Sequence, residues 1–538
     1  MSNNNVATII LQQLSAWGVK HVYGFIGDDV FHLFDALAQQ NNIKLYQVRH
    51  EEVAALMASA HAKITGEIGV CITDGGPGTV HLLNGLADAY TDHVPVLAIT
   101  GQVSRKDIGT NAKQYLNQQI LMSALSGYSD MIADPNATLS VLDKAYRTAI
   151  TKKTVAHITV PMDIFPAPCN LEPSPLALYL TNHPTSSREV ISGALDRIRQ
   201  AQKPLILVGA GGRNSGNLVC ELALKIGAGI ITTLAGVGSV SKSHPLYVGG
   251  LGHAGSPVSS QLLSEADLCI IVGANWWPAP YVPQNVSTIE IDWNPANVGT
   301  SSPNAYGVVG DSQQILSSIL AKVETKANHD WQNHIKQATK AWLTQLEQEA
   351  NTAGSPIQPA AIIKALAKTM TDDAIVCLDT GDHTVWFGRI FRPAHQRILM
   401  SGKWRTMGFG LPAALAAKIH YPPRQVIAIV GDGGISMTMA DFITAVKYEL
   451  PIVVVVLNNQ SLAMEKNKMT AANLQPIGTD LLNPNFAAFA KACGGEGITV
   501  SSANELEKAF EQGLSLERPV IIDVCTAATP VPGTKPPM

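Results

Sequence analysis

The sequence predicts an α/β protein built from three doubly wound, parallel-sheet domains. Short and almost wholly apolar runs, such as PLILV at 204–208 and VIAIV at 426–430, end in glycine-rich turns that helical segments follow. Such runs are typical of parallel strands that helices cover on both faces. The length of 538 residues, with 44 glycines and 6% aromatic residues, fits several close-packed layers joined by tight turns.

Two breaks divide the chain. Five prolines interrupt the pattern between 165 and 187, and a polar helix with an apolar stripe occupies about 325–357. We therefore predict a first domain over 1–170, a middle domain over 185–323, a third domain over 357–528 and a Pro-rich extended tail over 529–538. The first and third domains show a similar architecture.

Composition excludes several classes of protein. Hydrophobic residues make up 46% of the chain and charged residues 15%, which excludes a disordered chain. With 38 Lys and Arg against 42 Asp and Glu, the net charge of −4 excludes a general attraction to nucleic acid. The seven cysteines are scattered without a CxxC pair, so we expect neither disulfides nor a zinc site. Without a signal-peptide pattern or an apolar span of about 18–20 residues, a cytoplasmic protein with no membrane anchor is expected.

Polar residues follow two apolar strands of the third domain. The first strand ends in Gly431-Asp432-Gly433-Gly434, and the next ends in Asn458-Asn459 after one helical stretch. Asp432 and Asn459 offer the oxygen ligands that Mg²⁺ prefers, and a backbone carbonyl near Ser461 would add another. The glycines allow backbone N–H groups to approach a phosphate. Either motif alone is usually a turn, but the pair predicts a metal–diphosphate site at the carboxyl edge of the sheet.

The spacing of these motifs resembles the thiamine-diphosphate signature of the acetohydroxyacid synthase and pyruvate oxidase family. In YQVRHEEV of the first domain, Glu51 follows a short strand, where this family places its cofactor-activating glutamate. The resemblance implies that Glu51 serves the aminopyrimidine N1′, so that the 4′-imino form can remove the C2 proton. Standing alone, Glu51 would be interpreted as a helix-start glutamate stabilised by the helix dipole, as Glu52 still is.

The resemblance covers essentially the whole chain and implies further site residues. Those of the first domain are Gly27, Gly76 and Asn84, with Gln114 near the substrate. Those of the third domain are Asp382 and His383 over the diphosphate, Met407 between the two cofactor rings and Met464 over the acyl pocket. A flexible, apolar Met is physically suited to such a wedge.

The middle domain resembles the flavin domain of pyruvate oxidases. Gly209-Ala210-Gly211-Gly212-Arg213 lies between a strand and a helix, where Arg213 would meet a diphosphate. Asp292 and Asp311 close two further strands, and Asp292 is placed to hold a ribose or adenine. Each piece alone is a common turn, but together with the resemblance they imply FAD.

The resemblance therefore implies oxidative decarboxylation of pyruvate or a close 2-oxo acid, with thiamine diphosphate, Mg²⁺ and FAD. The C2 ylid would add the substrate, and FAD would oxidise the resulting hydroxyethyl carbanion. The alternatives are an acetolactate synthase-type carboligase, a non-oxidative 2-oxo acid decarboxylase and an inactive assembly or regulatory subunit. The family also implies a homodimer as the minimal active unit, and commonly a homotetramer.

Three features depart from the family pattern. Lys113 and Tyr115 flank Gln114, where relatives carry an aromatic residue and an acid. Ala463 and Met464 replace a glycine and an aromatic residue. The sequence after the third domain shows no amphipathic segment like that of membrane-associated, quinone-linked relatives. We therefore expect a soluble enzyme that does not reduce quinone directly.

Overall fold

Three six-stranded sheets, each wholly parallel and covered by helices, form the protein. The computed structural model describes residues 4–175 and 185–532, except 276, 284, 327 and 353. The predicted α/β class with three doubly wound sheets is confirmed. Within the described residues, no helix is both long and apolar enough to cross a membrane.

The first sheet has the strand order β2-β1-β3-β4-β6-β5. Its strands are β1 His21–Gly24, β2 Lys44–Gln47, β3 Gly69–Thr73, β4 Val96–Gln102, β5 Tyr128–Met131 and β6 Val155–Pro161. Its helices are α1 Val6–Ala16, α2 Phe31–Ala38, α3 Glu51–Thr65, α4 Pro77–His81, α5 Leu83–Thr91, α6 Gln118–Met122 and α7 Thr138–Lys152. Strands β3, β4 and β6 are buried along their whole length, as their unbroken apolar runs predict.

The middle sheet has the order β12-β11-β10-β7-β8-β9. Its strands are β7 Pro204–Val208, β8 Gly229–Thr232, β9 Tyr247–Gly250, β10 Leu268–Val272, β11 Ser287–Asp292 and β12 Ala305–Val309. Its helices are α8 Arg188–Gln200, α9 Gly216–Ile226, α10 Pro257–Glu265 and α11 Ser312–Leu320, and the long α12 His329–Ala350 follows. Counted within the domain, this order is that of dinucleotide-binding folds, and it reverses between β7 and β10.

The third sheet, β14-β13-β15-β16-β18-β17, repeats the topology of the first. Its strands are β13 Ile375–Leu378, β14 Arg397–Met400, β15 Val426–Gly431, β16 Val453–Asn458, β17 Glu496–Val500 and β18 Val520–Cys525. Its helices are α13 Pro359–Thr369, α14 Asp382–Ile390, α15 Gly410–His420, α16 Asp432–Thr438, α17 Phe442–Lys447, α18 Ala463–Ala471, α19 Phe486–Ala492 and α20 Leu506–Ser515. The expected similarity of the first and third domains is thus a shared strand order.

Helix α3 joins the first domain to the third. Its alanine-rich surface packs on α15, and one buried apolar cluster runs through both domains. Near the end of α3, buried Lys63 pairs with Asp88 at 2.6 Å and Asp92 at 2.8 Å. Lys63 also donates to the Met400 carbonyl at 3.1 Å. The oxygens of Asp92 in turn accept from the backbone N–H groups of residues 402 and 403, both at 2.7 Å.

The charge of Lys63 is retained despite its burial. Burial alone would lower the pKa of this ammonium, but the two carboxylates outweigh it and raise the pKa above its ordinary value. Asp88 is fully buried and also accepts from Ser59 at 2.6 Å. Removal of the cation would leave these carboxylates buried without compensation.

Replacement of Lys63 by Met should therefore destabilise the protein by about 3–5 kcal/mol, the usual effect of breaking a buried ion pair. The measurement is the urea midpoint of unfolding at pH 7. Lys152→Met, at an exposed lysine that ends α7, is the matched control and should shift the midpoint little. A Lys63→Met midpoint equal to that of the control would show that the ion cluster contributes no stability.

Candidate functional site

The candidate site is a cavity at the carboxyl edge of the third sheet. Strands β13, β15 and β16 are neighbours and end together there. The cavity is lined by residues of the loops at 380–383, 431–434 and 459–465, together with Met407, Trp386, Leu457, Pro359 and Thr526. Parallel open sheets bind ligands at this edge, next to the point where the strand order reverses.

The structure brings the three predicted metal ligands together. Asp432 begins α16 and is buried, and its Oδ2 accepts from the Ser461 N–H at 3.3 Å. The same N–H donates to Asn459 Oδ1 at 3.0 Å. Two side-chain oxygens thus converge on one backbone segment, which is the oxygen-rich set that Mg²⁺ requires. The Ser461 hydroxyl donates to the Thr479 carbonyl at 3.1 Å, which fixes this segment beside Asp432.

The glycines after β15 keep the cavity open. A Cβ on Gly433 would lie 2.7 Å from Leu462 Cδ2 and 3.1 Å from Met407 Cε. At Gly431 a Cβ would lie 3.1 Å from His383 Nδ1, and at Gly434 it would lie 3.0 Å from an oxygen of Asp379. Side chains at these positions would crowd the start of α16, where backbone N–H groups face an anion.

His383 is a candidate hydrogen-bonding partner for a phosphate group. It lines the cavity, and its buried Nε2 has no hydrogen-bond partner among the described residues. Burial lowers the pKa of this imidazole to about 4, so the ring is neutral at physiological pH. A buried, unpaired ring nitrogen is unfavourable unless a ligand meets it. In the tautomer that carries the single proton on Nε2, this nitrogen would donate to a diphosphate oxygen, so the residues present fit a diphosphate.

The neighbours of His383 complete the lining. Asp382 begins α14, and burial raises the pKa of its carboxyl to about 6. Met407 and Met464 both line the cavity, and together with Leu462 they give it an apolar side.

Two polar residues at this site, buried Asp379 and partly exposed Asn483, were not predicted. Asp379, directly after β13, accepts from the Thr380 and Gly408 N–H groups at 2.6 and 3.0 Å, and burial raises its pKa to about 6. The sequence places this acid directly after an apolar strand, and this pattern could have predicted Asp379 as a site residue. Asn483 donates to Asp432 Oδ2 at 2.8 Å and to Asn458 Oδ1 at 3.0 Å. It lies on a loop 51 residues from Asp432 without a motif of its own, so the sequence gave no indication of it.

The predicted first-domain residues form a separate group. Glu51 begins α3 and its Oε2 is 2.9 Å from His81 Nδ1. Gly76 and Gln114 both have positive φ angles, 52° and 64°, and a Cβ on Gly76 would lie 2.5 Å from the Gln114 carbonyl. At Gly27 a Cβ would lie 2.3 Å from the carboxyl carbon of Asp74. Among the described residues, none of the first domain lines the third-domain cavity.

Asn84 connects the two groups. Its Nδ2 donates to Glu52 Oε1 at 2.6 Å and to Thr406 Oγ1 at 2.8 Å. Its Oδ1 accepts from the Trp404 indole at 2.7 Å. The side chain therefore holds the segment before Met407 against the first domain. Glu52, interpreted from the sequence as a plain helix-start residue, takes part in this contact.

The middle domain places its glycine loop where the strand order reverses. Gly209 N donates to the Val272 carbonyl and Gly211 N donates to the Gly273 carbonyl, both at 2.9 Å. A Cβ on Gly209 would lie 2.4 Å from the Gly273 carbonyl oxygen. Glycine is therefore required for the close approach of these two loops.

Arg213 lies directly after this loop and is half-buried. Its Nη2 donates to the Ala235 carbonyl at 2.7 Å, while its buried Nε has no partner among the described residues. Burial lowers its pKa to about 10, so it remains a cation at neutral pH. A half-buried cation with a spare donor beside a glycine loop fits a dinucleotide diphosphate.

The two predicted acids of the middle domain differ in their surroundings. Asp292, at the end of β11, accepts from Asn294 N at 2.8 Å and from Asn297 Nδ2 at 3.2 Å, and both contacts use Oδ1. Asp311 caps α11 by accepting from Gln313 N and Gln314 N, both at 3.1 Å. The structure thus gives Asp311 a helix-capping contact that the sequence analysis did not include.

Family models match all three regions of the chain. The C-terminal TPP binding domain of thiamine pyrophosphate enzymes matches residues 379–524, the N-terminal TPP binding domain matches 4–121, and the central domain matches 191–319. The chain belongs to the thiamine pyrophosphate enzyme family. The resemblance noted from the motifs is confirmed at this level.

Three relatives show the range of this family. YdaP of Bacillus subtilis (strain 168), whose name assigns thiamine pyrophosphate but no reaction, is 37% identical over 99% of this chain and 94% of its own. The pyruvate oxidase of Lactiplantibacillus plantarum is 32% identical over 98% of this chain and 89% of its own. The acetolactate synthase isozyme 3 large subunit of Escherichia coli K12 is 30% identical over 96% of this chain and 94% of its own.

His383→Ala should weaken thiamine diphosphate binding by about ten- to a hundredfold. The reason is the loss of one hydrogen bond to a charged group, worth about 1.5–3 kcal/mol. Calorimetric titration of the apoprotein with the cofactor at saturating Mg²⁺ measures this change. His395→Ala, at an exposed histidine beyond the same helix, is the control and should bind like the wild type. Equal affinities for the two variants would mean that His383 does not contact the cofactor.

Proposed function

We propose that the protein is an FAD-containing, thiamine-diphosphate-dependent oxidase that decarboxylates pyruvate or a close 2-oxo acid. The main support for an oxidative reaction comes from the structure of the middle domain. Its sheet has the dinucleotide-binding order, and its glycine loop and half-buried Arg213 lie where that order reverses. The relative named pyruvate oxidase, similar over 98% of this chain, supports the same choice.

The third domain supplies the proposed anchor for the cofactor. Asp432, Asn459 and the backbone carbonyl at Ser461 would hold Mg²⁺, which would bridge to the diphosphate. The N–H groups at the start of α16 and the neutral ring of His383 would donate to phosphate oxygens. Asp382 lies beside this position, and Met407 and Met464 would exclude water from the reaction centre.

When bound, thiamine diphosphate supplies the electron sink for loss of CO₂, and FAD supplies a two-electron acceptor. Glu51 would hold a proton at N1′ of the aminopyrimidine, and this contact activates C2. Gln114, on the strained turn beside Gly76, would orient the 2-oxo acid. Arg213 and Asp292 would bind the diphosphate and ribose of FAD.

A second copy of the chain would complete the site. Glu51 is absent from the lining of its own chain's cavity. Exposed apolar side chains lie beside both halves of the site: Ile26, Phe31, Val80 and Ile120 on the first domain, and Met437, Leu474, Ile477 and Leu482 on the third. Exposed apolar groups of this kind mark protein–protein contacts. We propose a homodimer as the active unit, with a homotetramer as its larger assembly.

A carboligase is the second candidate. The acetolactate synthase isozyme 3 relative, 30% identical over 96% of this chain, favours it. Such an enzyme would use the same first- and third-domain residues, but would pass the two-carbon unit to a second 2-oxo acid. The two candidates therefore differ in whether the flavin is reduced during turnover.

Anaerobic mixing of the purified yellow holoenzyme with pyruvate should bleach the flavin absorption, because the oxidase transfers two electrons to FAD. Glu51→Gln should retain both cofactors but bleach at least about a hundredfold more slowly, the usual contribution of one acid–base group. Lactate, which lacks the 2-oxo group, is the control substrate. Formation of acetolactate without bleaching would contradict the oxidase proposal and indicate a carboligase. Formation of acetaldehyde without bleaching would indicate a simple decarboxylase.

A further inference from the structure

A cluster of potential metal ligands surrounds the carboxylate of Glu51. His50, Glu51 and His81 each present a ligand atom, and these three atoms lie within 4.8 Å of one another. Within the described part of the chain, no other three His, Cys, Asp or Glu side chains come this close. The cluster is separate from Asp432 and Asn459 and lies in a different domain.

The backbone holds the three side chains in place. His50 is the N-cap of α3 and Glu51 is the first residue of that helix, while His81 ends α4. The rings of His50 and His81 stack with their centroids 4.5 Å apart. The side chain of His81 is 45% exposed and that of Glu51 is 13% exposed. In the single chain a cation can therefore reach the carboxylate past His81, on the surface that the proposed dimer would place opposite the third-domain cavity of the partner.

One of the three distances between ligand atoms is close to that around a bound cation. Ligands at about 2.0–2.1 Å from a tetrahedral cation lie about 3.3 Å from each other. His81 Nδ1 and Glu51 Oε2 are 2.9 Å apart, so an opening of a few tenths of an ångström would admit the cation in place of the shared proton. His50 Nδ1 accepts a long hydrogen bond, 3.3 Å, from Glu52 N, and the His50 ring stacks on that of His81. The His50 ring would therefore have to turn and give up this N-cap contact to join the other two ligands on one cation.

The donor set selects the type of cation. Two imidazole nitrogens and one carboxylate suit Zn²⁺ and similar transition metals, with water in the remaining position. Mg²⁺ prefers oxygen ligands and would bind at Asp432 instead. The two cation sites of the protein would therefore be chemically distinct.

We propose that His50, Glu51 and His81 form a site for one transition-metal cation of the Zn²⁺ type, and that the bound cation withholds Glu51 from thiamine diphosphate. The second part rests on the proposed role of Glu51 in activating the cofactor. Metal binding displaces the proton between His81 and Glu51 to solvent, with no redox change. Cofactor loading and metal binding would then exclude each other, and a transition metal would inhibit the enzyme without touching the Mg²⁺ site.

Co²⁺ is the probe, because its visible absorption is strong in a four-coordinate nitrogen–oxygen site and weak in an octahedral oxygen site. The full-length apoprotein, free of any histidine tag, is titrated with Co²⁺ in excess Mg²⁺. We expect strong visible absorption at one Co²⁺ per chain, which Zn²⁺ then abolishes by displacement. Prior loading with thiamine diphosphate and Mg²⁺ should weaken Co²⁺ binding by about tenfold or more.

His81→Ala should weaken Co²⁺ binding by at least about tenfold, since even the loss of an outer partner has an effect of this size. His32→Ala, at an exposed histidine of the same domain, should bind like the wild type. Unfolding midpoints verify that both variants are folded. The proposed metal site would be contradicted if the wild type showed no such absorption, or if His81→Ala bound Co²⁺ as tightly as the wild type.

Unchanged Co²⁺ binding after cofactor loading would overturn the proposed competition for Glu51. Because the titration uses apoprotein and absorption, its outcome is independent of pyruvate turnover. If the protein binds Co²⁺ through His81 but does not turn over 2-oxo acids, the proposed function is contradicted. The proposal of a metal site is still supported in that case.

Discussion

The buried cation Lys63 fixes the geometry on which the candidate site depends. It pairs with Asp88 and Asp92 and donates to the Met400 carbonyl, while Asp92 holds the next backbone N–H groups. One cation thus joins helix α3 to the segment that leads to Met407. The same helix begins with Glu51. The contacts that position Met407 therefore also fix the orientation of the helix that carries Glu51. Asn84 adds a second connection through Thr406.

This rigid arrangement explains why a single chain would be insufficient. The third-domain cavity contains the proposed metal ligands, the glycine loop and the unpaired His383 nitrogen without any contribution from the described residues of the first domain. Glu51 belongs to a first-domain surface outside that cavity, and apolar side chains such as Ile120 and Leu482 are exposed beside the two halves. An association that buries these side chains would bring the first domain of one copy to the third domain of another. Apolar burial would then stabilise the dimer and assemble the site together.

Strand-end motifs made much of the site predictable from the sequence. Asp432 and Asn459 follow neighbouring parallel strands, whose carboxyl ends must meet at one edge, so proximity in space follows from the pattern. Asn483 could not be predicted, because it reaches Asp432 only through the path of a loop, which no sequence motif indicates. Asp311 shows what a strand-end motif leaves out: its Oδ1 caps the following helix, while its predicted role as a cofactor ligand stays a prediction. The Lys63 cluster was also missed, because its three charged residues meet only when α3 packs beside the end of α5, next to the segment after β14.

The central claim is that Glu51 of one chain acts on the cofactor held by Asp432 of another. Its most direct test is a mixed dimer of Glu51→Gln and Asp432→Asn chains, isolated through two different affinity tags. Each parent homodimer should be inactive with pyruvate. The mixed dimer contains one site with both native residues if the site is shared, and should regain about half of the wild-type activity per dimer. Activity no higher than that of the parents would contradict the account, because it would place both residues in a site formed by a single chain.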